Sequence, residues 1–274
     1  MSRRHRRRRL LSAAILLVGL VFVFVPYLWI VLTALKRPVD AAAVPPMIFS
    51  PITTRNFEAL TEGPFAGSLV ASAIITVLTT TATMLLGVPA GYAFARGTFR
   101  GRRFFTGWLL LSRMVPPVIF IIPLFLFFHR LALIDTYHGL ALAYLTGLLP
   151  FTVWMCASYF QDVPIELEEA ARIDGAGRTR TFLDVVLPLA RPGVLTVGLL
   201  IGIAAWSEYF IPLILAGIKT TPATVGLVNF IGIDTLNWGA LAAGALALVI
   251  PTVIVTLIVQ RGMLRGLSAG AVKG

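Results

Sequence analysis

Side chains that could do chemistry are scarce in this sequence, and most of them lie in two stretches. One is a charged stretch from Asp162 to Pro192, and the other is the run Trp206, Ser207, Glu208 and Tyr209 within a long apolar segment. Aromatic rings beside hydroxyl and carboxylate groups suit sugars, and a carboxylate within apolar sequence is a functional candidate because its burial is costly. The run therefore predicts part of a solute path. The structural alternative is internal pairing of Glu208 and plain packing of Trp206.

The sequence contains no complete catalytic or metal-binding motif. Its three histidines have no HExxH or other paired-ligand spacing, and no phosphate loop of the GxxxxGK type occurs. Ser158, Ser207 and Glu208 supply fragments of a hydrolytic site without a full set of nucleophile, base and positioning group. The single cysteine, Cys156, excludes an intrachain disulfide. We therefore predict a non-catalytic chain with no metal site.

The composition is that of an integral membrane protein. Hydrophobic residues make up 58% of the chain and charged residues 13%, and the mean hydropathy is +0.89. This leaves too little polar surface for a water-soluble globule. The net charge of +11 would favour a nucleic-acid partner in a soluble protein, but basic patches interleaved with aromatic residues are absent. We predict an all-α membrane protein that binds no nucleic acid.

Six segments with almost no charged residues are long enough to cross a bilayer, for which about 20 residues suffice. The predicted spans are residues 10–35, 67–94, 104–128, 139–161, 193–217 and 236–260. The first is longer than the core of a signal peptide and is predicted to be an uncleaved anchor. Together the spans predict one transmembrane domain over residues 1–274.

Prolines predict where this helical pattern is interrupted. The third span contains Pro116, Pro117 and Pro123, which favour a kinked helix. Residues 36–64, between the first two spans, contain five prolines and predict an ordered loop with short elements.

Lysine and arginine residues are distributed unevenly between the predicted loops. With the N-terminus in the cytoplasm, the inner segments carry 17 of the 23 basic residues and the outer loops carry five. Such an excess in short loops follows the positive-inside rule. Both termini and the stretch from Asp162 to Pro192 are therefore predicted to be cytoplasmic, where this stretch can meet a soluble partner.

Arg113 is the remaining basic residue and lies inside the third predicted span. It either pairs with Glu208 or extends along its own span to the cytoplasmic surface. The predicted depths of the two residues differ by about 9 Å, at about 1.5 Å of rise per helical residue. This difference favours the second alternative.

The charged stretch is predicted to form two short helices joined by a bend. Asp162 is expected to cap a helix that begins at Pro164 and carries several glutamates. Glycine ends that helix at Gly175, and a second helix over residues 179–187 is expected to stop at Pro188. On these features alone, a connector lying on the membrane surface is as good an interpretation as a docking element.

A motif within the stretch resembles the EAA motif of ABC-importer membrane subunits. It consists of Glu169, Ala170 and Ala171, then Gly175 and, after nine further residues, Val185, Val186, Leu187 and Pro188. The fuller strings ELEEAARIDGAG and VLPLARP are similar to the carbohydrate-uptake family, which includes the six-span maltose-transporter subunit. GYAFARGTFRGRR, VPPVIFIIPLFLFF, AWSEYF and GLSAGAVKG resemble the same family in the same order. The similarity therefore covers nearly the whole chain.

The resemblance implies a mechanism in which the bent element is a coupling helix seated in a groove of an ATPase subunit. It implies the type I (MetI-like) importer-permease fold, with six transmembrane helices and both termini cytoplasmic. The residues it assigns to coupling are Glu169, Ala170, Ala171, Asp174, Gly175, Leu187 and Pro188. ATP and Mg belong to the partner ATPase, so this chain is expected to bind no cofactor and to be no enzyme.

The resemblance also implies the partners and the location of the chain. They are a second, homologous permease subunit in a heterodimer, an ATPase subunit dimer, an extracytoplasmic solute-binding protein and a sugar-like substrate, in the bacterial cytoplasmic (inner) membrane. Residues 36–64 and the loop near 229–238 are expected to face the binding protein. The tail GLSAGAVKG, flexible by composition, is expected to insert between the ATPase subunits. The family commonly has Trp-Asn-Glu where this chain has Trp206, Ser207 and Glu208.

A function of another class stays open from the residues alone. An integral membrane enzyme or scaffold could dock a different soluble partner through the same cytoplasmic bend. A copurifying ATPase chain and a related membrane subunit would support the importer, whereas a stable homodimer without a nucleotide-binding partner would favour this alternative.

Overall fold

The computed structural model describes the backbone of residues 3–232 and 236–270, and the side chains of residues 11–109, 111–112, 114–116, 118–232 and 236–260. These parts of the chain are helical apart from turns, loops and one antiparallel bridge between Ile231 and Leu236. The long helices are α1 (Arg3–Ala34), α4 (Phe65–Arg96), α7 (Tyr137–Gln161), α10 (Leu187–Trp206) and α13 (Trp238–Gly270). The shorter helices are α2 (Pro38–Ala41), α3 (Arg55–Glu62), α5 (Arg102–Met114), α6 (Ile121–Arg130), α8 (Ile165–Ile173), α9 (Arg178–Thr181), α11 (Phe210–Leu215) and α12 (Ala223–Gly226).

Five helices in the described residues are long and apolar enough to cross a membrane. They are Leu11–Ala34, Phe65–Arg96, Tyr137–Gln161, Arg178–Trp206 and Trp238–Gln260. Each overlaps one of the six predicted spans. The sixth, predicted over residues 104–128, is not one continuous helix.

Proline divides this third predicted span more deeply than a kink would. Helix α5 ends at Met114, and Val115 and Pro116 are extended, with ψ of 124° and 131°. A 3₁₀ turn, Pro117–Phe120, then leads into α6. The residue before a proline is pushed out of the helical region and proline has no N–H to donate, so two adjacent prolines open the helix.

The first of two compact units consists of the described parts of Met1–Ala66 and Gly226–Ile250. Its organising contact is Asn56 in α3, whose side-chain amide donates to the carbonyl oxygens of Ala34 and Lys36 at 2.8 and 2.7 Å. Gly239 approaches so closely that a Cβ there would overlap the side-chain amide of Asn56. The end of α1, the helix α3 and the start of α13 are thereby fixed together. Residues 36–64 form the predicted ordered loop with short elements, α2 and α3.

The second unit consists of the described parts of Gly67–Val225 and Pro251–Gly274, and α4, α7 and α10 form its core. Its fully buried apolar side chains include Cys156, Phe160, Val186, Val197 and Ile201. Glycine allows the helix backbones to come close, because a Cβ on Gly91 would lie 2.6 Å from Cβ of Cys156. Small residues serve the same purpose generally between membrane helices.

The predicted helix stop at Pro188 was wrong. Helical structure continues from Arg178 to Trp206, through both Pro188 and Pro192. A π-helical segment, Phe182–Val186, comes directly before α10. Membrane helices tolerate single prolines where neighbouring groups satisfy the freed carbonyl groups, and this helix passes both prolines without a break.

Candidate functional site

The charged stretch contains α8, but Asp162 is not its cap. Asp162 ends α7, where its backbone N–H donates to the carbonyl oxygen of Phe160. Helix α8 begins after Pro164, and no side chain among the described residues caps it. The fixed φ of proline suits the start of a helix, and Glu166 and Glu168 in the first turn lie near the positive end of its dipole.

The predicted bend at Gly175 is present, in the form of a Schellman motif. Gly175 has a φ of +88°, which favours glycine. Its N–H donates to the carbonyl oxygen of Arg172 at 3.0 Å, and the N–H of Ala176 donates to that of Ala171 at 2.9 Å. These two bonds satisfy the last carbonyl groups of α8 and turn the chain towards α9.

The residues assigned to coupling lie on an accessible surface of α8 and the turn after it. Glu169, Ala170, Asp174 and Gly175 are exposed, and Ala171 is half-buried. Ile173 beside them is 86% exposed. Leu187 and Pro188 begin α10, with Leu187 half-buried and Pro188 exposed. The structure thus brings five of the seven residues together on one short projection and places the other two at the base of the next long helix.

Sequence reasoning missed Glu168, the buried member of the same helix. Its side chain is 1% exposed, and Oε1 accepts from Nε of Arg96 at 2.7 Å. Its other oxygen accepts from the hydroxyl of Tyr92 at 2.7 Å. Arg96 also donates to the carbonyl oxygen of Val163, and Arg172 lies 3.9 Å away across one turn of α8. A buried carboxylate needs such partners, and the three acids Glu166, Glu168 and Glu169 of the predicted helix were the only signal in the sequence.

The run Trp206 to Tyr209 lies at a helix break. Helix α10 ends at Trp206, and Oε1 of Glu208 accepts from the backbone N–H groups of Tyr209, Phe210 and Ile211 at 3.1, 3.0 and 3.3 Å. One carboxylate oxygen of Glu208 therefore caps α11. Ser207 is exposed, and Trp206 and Tyr209 are half-buried. This oxygen of Glu208 is therefore paired within the protein, which was the structural alternative to a role in the solute path. A contact between this run and a solute stays a prediction.

Four threonines of α4 form a second polar feature that the sequence did not single out. Thr76, Thr79, Thr80 and Thr83 recur at helical spacing along one side of α4. Their hydroxyl groups are buried, with no hydrogen-bond partner among the residues that the structure describes. Thr80 lies towards α10, where a Cβ on Gly202 would be 3.7 Å from its hydroxyl. Buried polar atoms are usually paired with protein groups or ordered water, so these hydroxyls are candidates for contact with water or a solute.

Asp135 joins two loops at the ends of α6 and α11. Its carboxylate accepts from the backbone N–H groups of Gly217, Lys219 and Thr220 and from the Thr220 hydroxyl, at 2.8 to 3.3 Å. Desolvation works against ionisation, but these four hydrogen bonds outweigh it and hold the pKa of Asp135 below its usual value. Asp135 also has a φ of +55°, a conformation that aspartate and asparagine tolerate.

Two predictions made from the sequence lie outside the described residues. They concern the side chain of Arg113 and the end of the tail, residues 271–274. In the described part of the chain no three His, Cys, Asp or Glu side chains are grouped so that they could hold a metal ion.

Residues 84–261 match the family model described as "Binding-protein-dependent transport system inner membrane component". They contain α8, the bend after it and the helix break between α10 and α11. The chain belongs to this family. It is an integral protein of the inner membrane and a component of a transport system.

Relatives with known names match over almost the whole length of both chains. A trehalose transport system permease protein, SugB, of Mycobacterium tuberculosis is 36% identical over 94% of this chain and 95% of its own length. The trehalose/maltose transport system permease protein MalG of Thermococcus litoralis is 32% identical over 98% of both. A diacetylchitobiose uptake system permease protein, DasC, of Streptomyces coelicolor is 33% identical over 96% and 95%.

Solved structures show the same fold. A chain of a bacterial ABC transporter that imports alginate superposes with a TM-score of 0.79 at 24% identity, covering 95% of this chain and 98% of that one. A chain of the MetNI methionine ABC transporter gives a TM-score of 0.61 at 17% identity, over 78% and 99%. The fold is therefore that of the ABC-importer permeases, as the resemblance implied.

Proposed function

We propose that this chain is the translocation subunit of an ATP-driven, binding-protein-dependent importer for a sugar or sugar-like solute. The observation that carries the proposal is the accessible projection formed by α8 and its bend. The residues that resemble the EAA motif are accessible there, and the family serves binding-protein-dependent transport, which supports a coupling role for them.

The coupling contact is proposed for the exposed residues of that projection. Ala170 and Ala171 are small enough to let a partner surface approach closely, while Glu169 and Asp174 can pair with arginine or lysine on the partner. Exposed Ile173 adds apolar area to the contact. Movement of an ATPase dimer that holds ATP and Mg would be received here, so no hydrolytic chemistry is needed in this chain.

The solute class is proposed from the site and from the relatives. The three relatives described above are named for the sugars they transport. These are trehalose for the first, trehalose and maltose for the second, and diacetylchitobiose for the third. Trp206, Ser207 and Tyr209 offer aromatic faces and hydroxyl groups at a helix break. The threonines of α4 add buried hydroxyls that a hydrated sugar or water can satisfy. Both features suit a neutral polyhydroxyl solute better than a charged one.

The further partners are a second, homologous permease subunit in a heterodimer and an extracytoplasmic solute-binding protein. Helix α1 supports the first of these, because its residues 11–29 are all exposed in the single chain. Lipid and a neighbouring subunit are the environments that such a surface fits. The binding protein is proposed to contact residues 36–64 and the described part of the loop 229–238.

Purification from the native membrane followed by reconstitution tests the proposal. We expect an ATPase chain and a second permease chain to copurify, and solute uptake into liposomes to require ATP and the binding protein. Screening sugars against the cognate binding protein would name the solute. A homodimer without any nucleotide-binding partner would instead support a membrane enzyme or scaffold.

A further inference from the structure

We propose that Glu168, Arg96 and Tyr92 form a positioning joint that makes α4 move together with the coupling helix. The proposal rests on the function proposed above, because the joint matters only if α8 receives the movement of an ATPase. It concerns the buried side of α8, whereas the coupling motif lies on its exposed side. We refer to these three residues as the α8–α4 joint.

The geometry of the joint is that of a fixed connection. Arg96 is the last residue of α4 and is 16% exposed, and its guanidinium binds both the Glu168 carboxylate and the carbonyl oxygen of Val163. It therefore holds the beginning of α8 and the turn before it at once. Charge-assisted bonds at 2.7 Å with little access to water are short and directional. Such a connection transmits displacement better than an apolar contact, which can slide.

Tyr92 extends the connection to two more helices. Its hydroxyl donates to Glu168, while its ring lies 5.8 Å from the ring of Phe160 in α7 and 4.7 Å from that of Phe182 in the π segment before α10. A push on α8 thus reaches the ends of α4, α7 and α10 through one buried cluster. Coupling of this kind needs a contiguous set of packed and hydrogen-bonded groups, and the cluster provides one.

An exposed ion pair in the same region provides a matched control. Arg180 and Asp184 are 3.2 Å apart on α9 and the π segment, with side chains 76% and 62% exposed. Both members lie on one continuous helical segment, so this pair joins no second helix. Exposed pairs also contribute little to a structure. Its removal should leave both assembly and coupling unchanged.

The test uses the complete importer in liposomes, with its binding protein and solute. Glu168→Gln retains the shape of the side chain but removes the charge that Arg96 binds. We expect the ATPase to remain bound and active, while the number of solute molecules imported per ATP falls by about tenfold, since the buried charged bonds of the joint are lost. Tyr92→Phe removes one hydroxyl and should give a smaller fall in the same ratio. Asp184→Asn should match the wild type.

Spin labels at two exposed positions separate positioning from a general loss of structure. One replaces Ile165 on α8, which is 51% exposed and is not assigned to the coupling contact, and the other replaces Val77 on α4, which is 64% exposed. In Glu168→Gln, the label at 165 should still respond to ATP while the label at 77 loses its response. Arg96→Lys, which keeps the charge, should restore more of the response at 77 than Arg96→Gln.

The proposal would be overturned if Glu168→Gln and Tyr92→Phe imported as many solute molecules per ATP as the wild type and if both spin labels responded normally in them. If Glu168→Gln fails to assemble, Tyr92→Phe and the two Arg96 variants decide the outcome by the same ratio. A wild-type protein that neither binds an ATPase nor imports solute would instead refute the proposed function, so the two failures are distinct.

Discussion

Two residues of α8, adjacent in sequence, have opposite surroundings. Glu169 is exposed, whereas Glu168 is buried against Arg96 and Tyr92. The sequence predicted the exposed member because its motif resembles that of a known family. It did not predict the buried one, since the partners of Glu168 are more than 70 residues away along the chain, separated by 72 and 76 positions. A local pattern contains no information about such contacts.

The bend after α8 gives a prediction at the level of one backbone angle. Gly175→Pro fixes φ near −65° where the structure has +88°, and it removes the N–H that donates to Arg172. We expect the protein to insert in the membrane normally but to lose ATP-coupled uptake. Membrane fractionation, ATPase activity and solute uptake measure these effects.

Gly175→Ala is the matched control for that change. A Cβ at this position meets nothing within 4 Å, so alanine adds only the strain of a left-handed conformation, about 1–2 kcal/mol. Uptake should therefore fall far less than with proline. Equal uptake by Gly175→Pro and the wild type would show that the bend is not needed for coupling.

Asp135 gives a prediction for stability. Asp135→Asn keeps a residue that tolerates positive φ but presents an amide where the N–H of Lys219 requires an acceptor. Since the change removes the negative charge from all four hydrogen bonds, and hydrogen bonds to charged groups contribute more than neutral ones, we expect a lower melting temperature in detergent. Thr220→Val removes one of the four hydrogen bonds and should have a smaller effect.

The difference in melting temperature between the wild type and Asp135→Asn should depend on pH, because the pKa of Asp135 is lowered in the folded protein. A carboxyl group with a lowered folded-state pKa contributes stability above its unfolded-state pKa, about 3.9, and loses it as the pH falls through the folded-state value. The melting temperatures of the wild type and Asp135→Asn should thus differ by a constant amount from pH 8 down to about pH 5, and converge only in more acidic solution. Convergence near neutral pH would contradict the assigned hydrogen bonds.

At the scale of elements, the apolar runs predicted the long helices, and the prolines were harder to interpret. Pro116 opens the third predicted span, whereas Pro188 and Pro192 lie inside a continuous helix. The difference is that Pro116 and Pro117 are adjacent, whereas single prolines also lie inside other long helices, at Pro26, Pro89, Pro150 and Pro251. Membrane helices tolerate a single proline where neighbouring groups satisfy the freed carbonyl, so the stop predicted at Pro188 was wrong.

Helix α4 carries a prediction that separates folding from transport. Thr79 and Thr83 are fully buried, and their hydroxyls have no partner among the described residues. Replacing both by valine, which has nearly the same shape, removes two unsatisfied groups. We expect the melting temperature to stay the same or rise, while solute uptake falls if these hydroxyls meet the solute or its water.

The control for this double variant is Thr181→Val at another fully buried threonine. The hydroxyl of Thr181 donates to the carbonyl oxygen of Gly177 at 3.1 Å, so valine there should lower the melting temperature. A comparable loss in the Thr79 and Thr83 variant would mean that these hydroxyls have partners in the folded protein, and their proposed contact with solute or water would be refuted.

At the scale of the whole molecule, the resemblance read from the sequence and the family match agree on an importer permease. They do not identify the solute. The relatives' names include several sugars, and a helix break with aromatic and hydroxyl groups fits many of them. Sequence and fold therefore determine the class of transport, and binding measurements must determine its solute.

The number of membrane crossings is decided by the pair α5 and α6. Five continuous helices would place the two termini on opposite sides of the membrane, whereas a sixth, broken crossing formed by α5 and α6 places them on the same side. The basic residues favour the second arrangement, since six lie in residues 1–9 and three in residues 261–274. We expect green fluorescent protein to fluoresce when fused after Gly175 and after Gly274, and alkaline phosphatase to be active only when fused after Gly217. Phosphatase activity at Gly274 would mean that α5 and α6 do not cross, and the six-span topology would then be wrong.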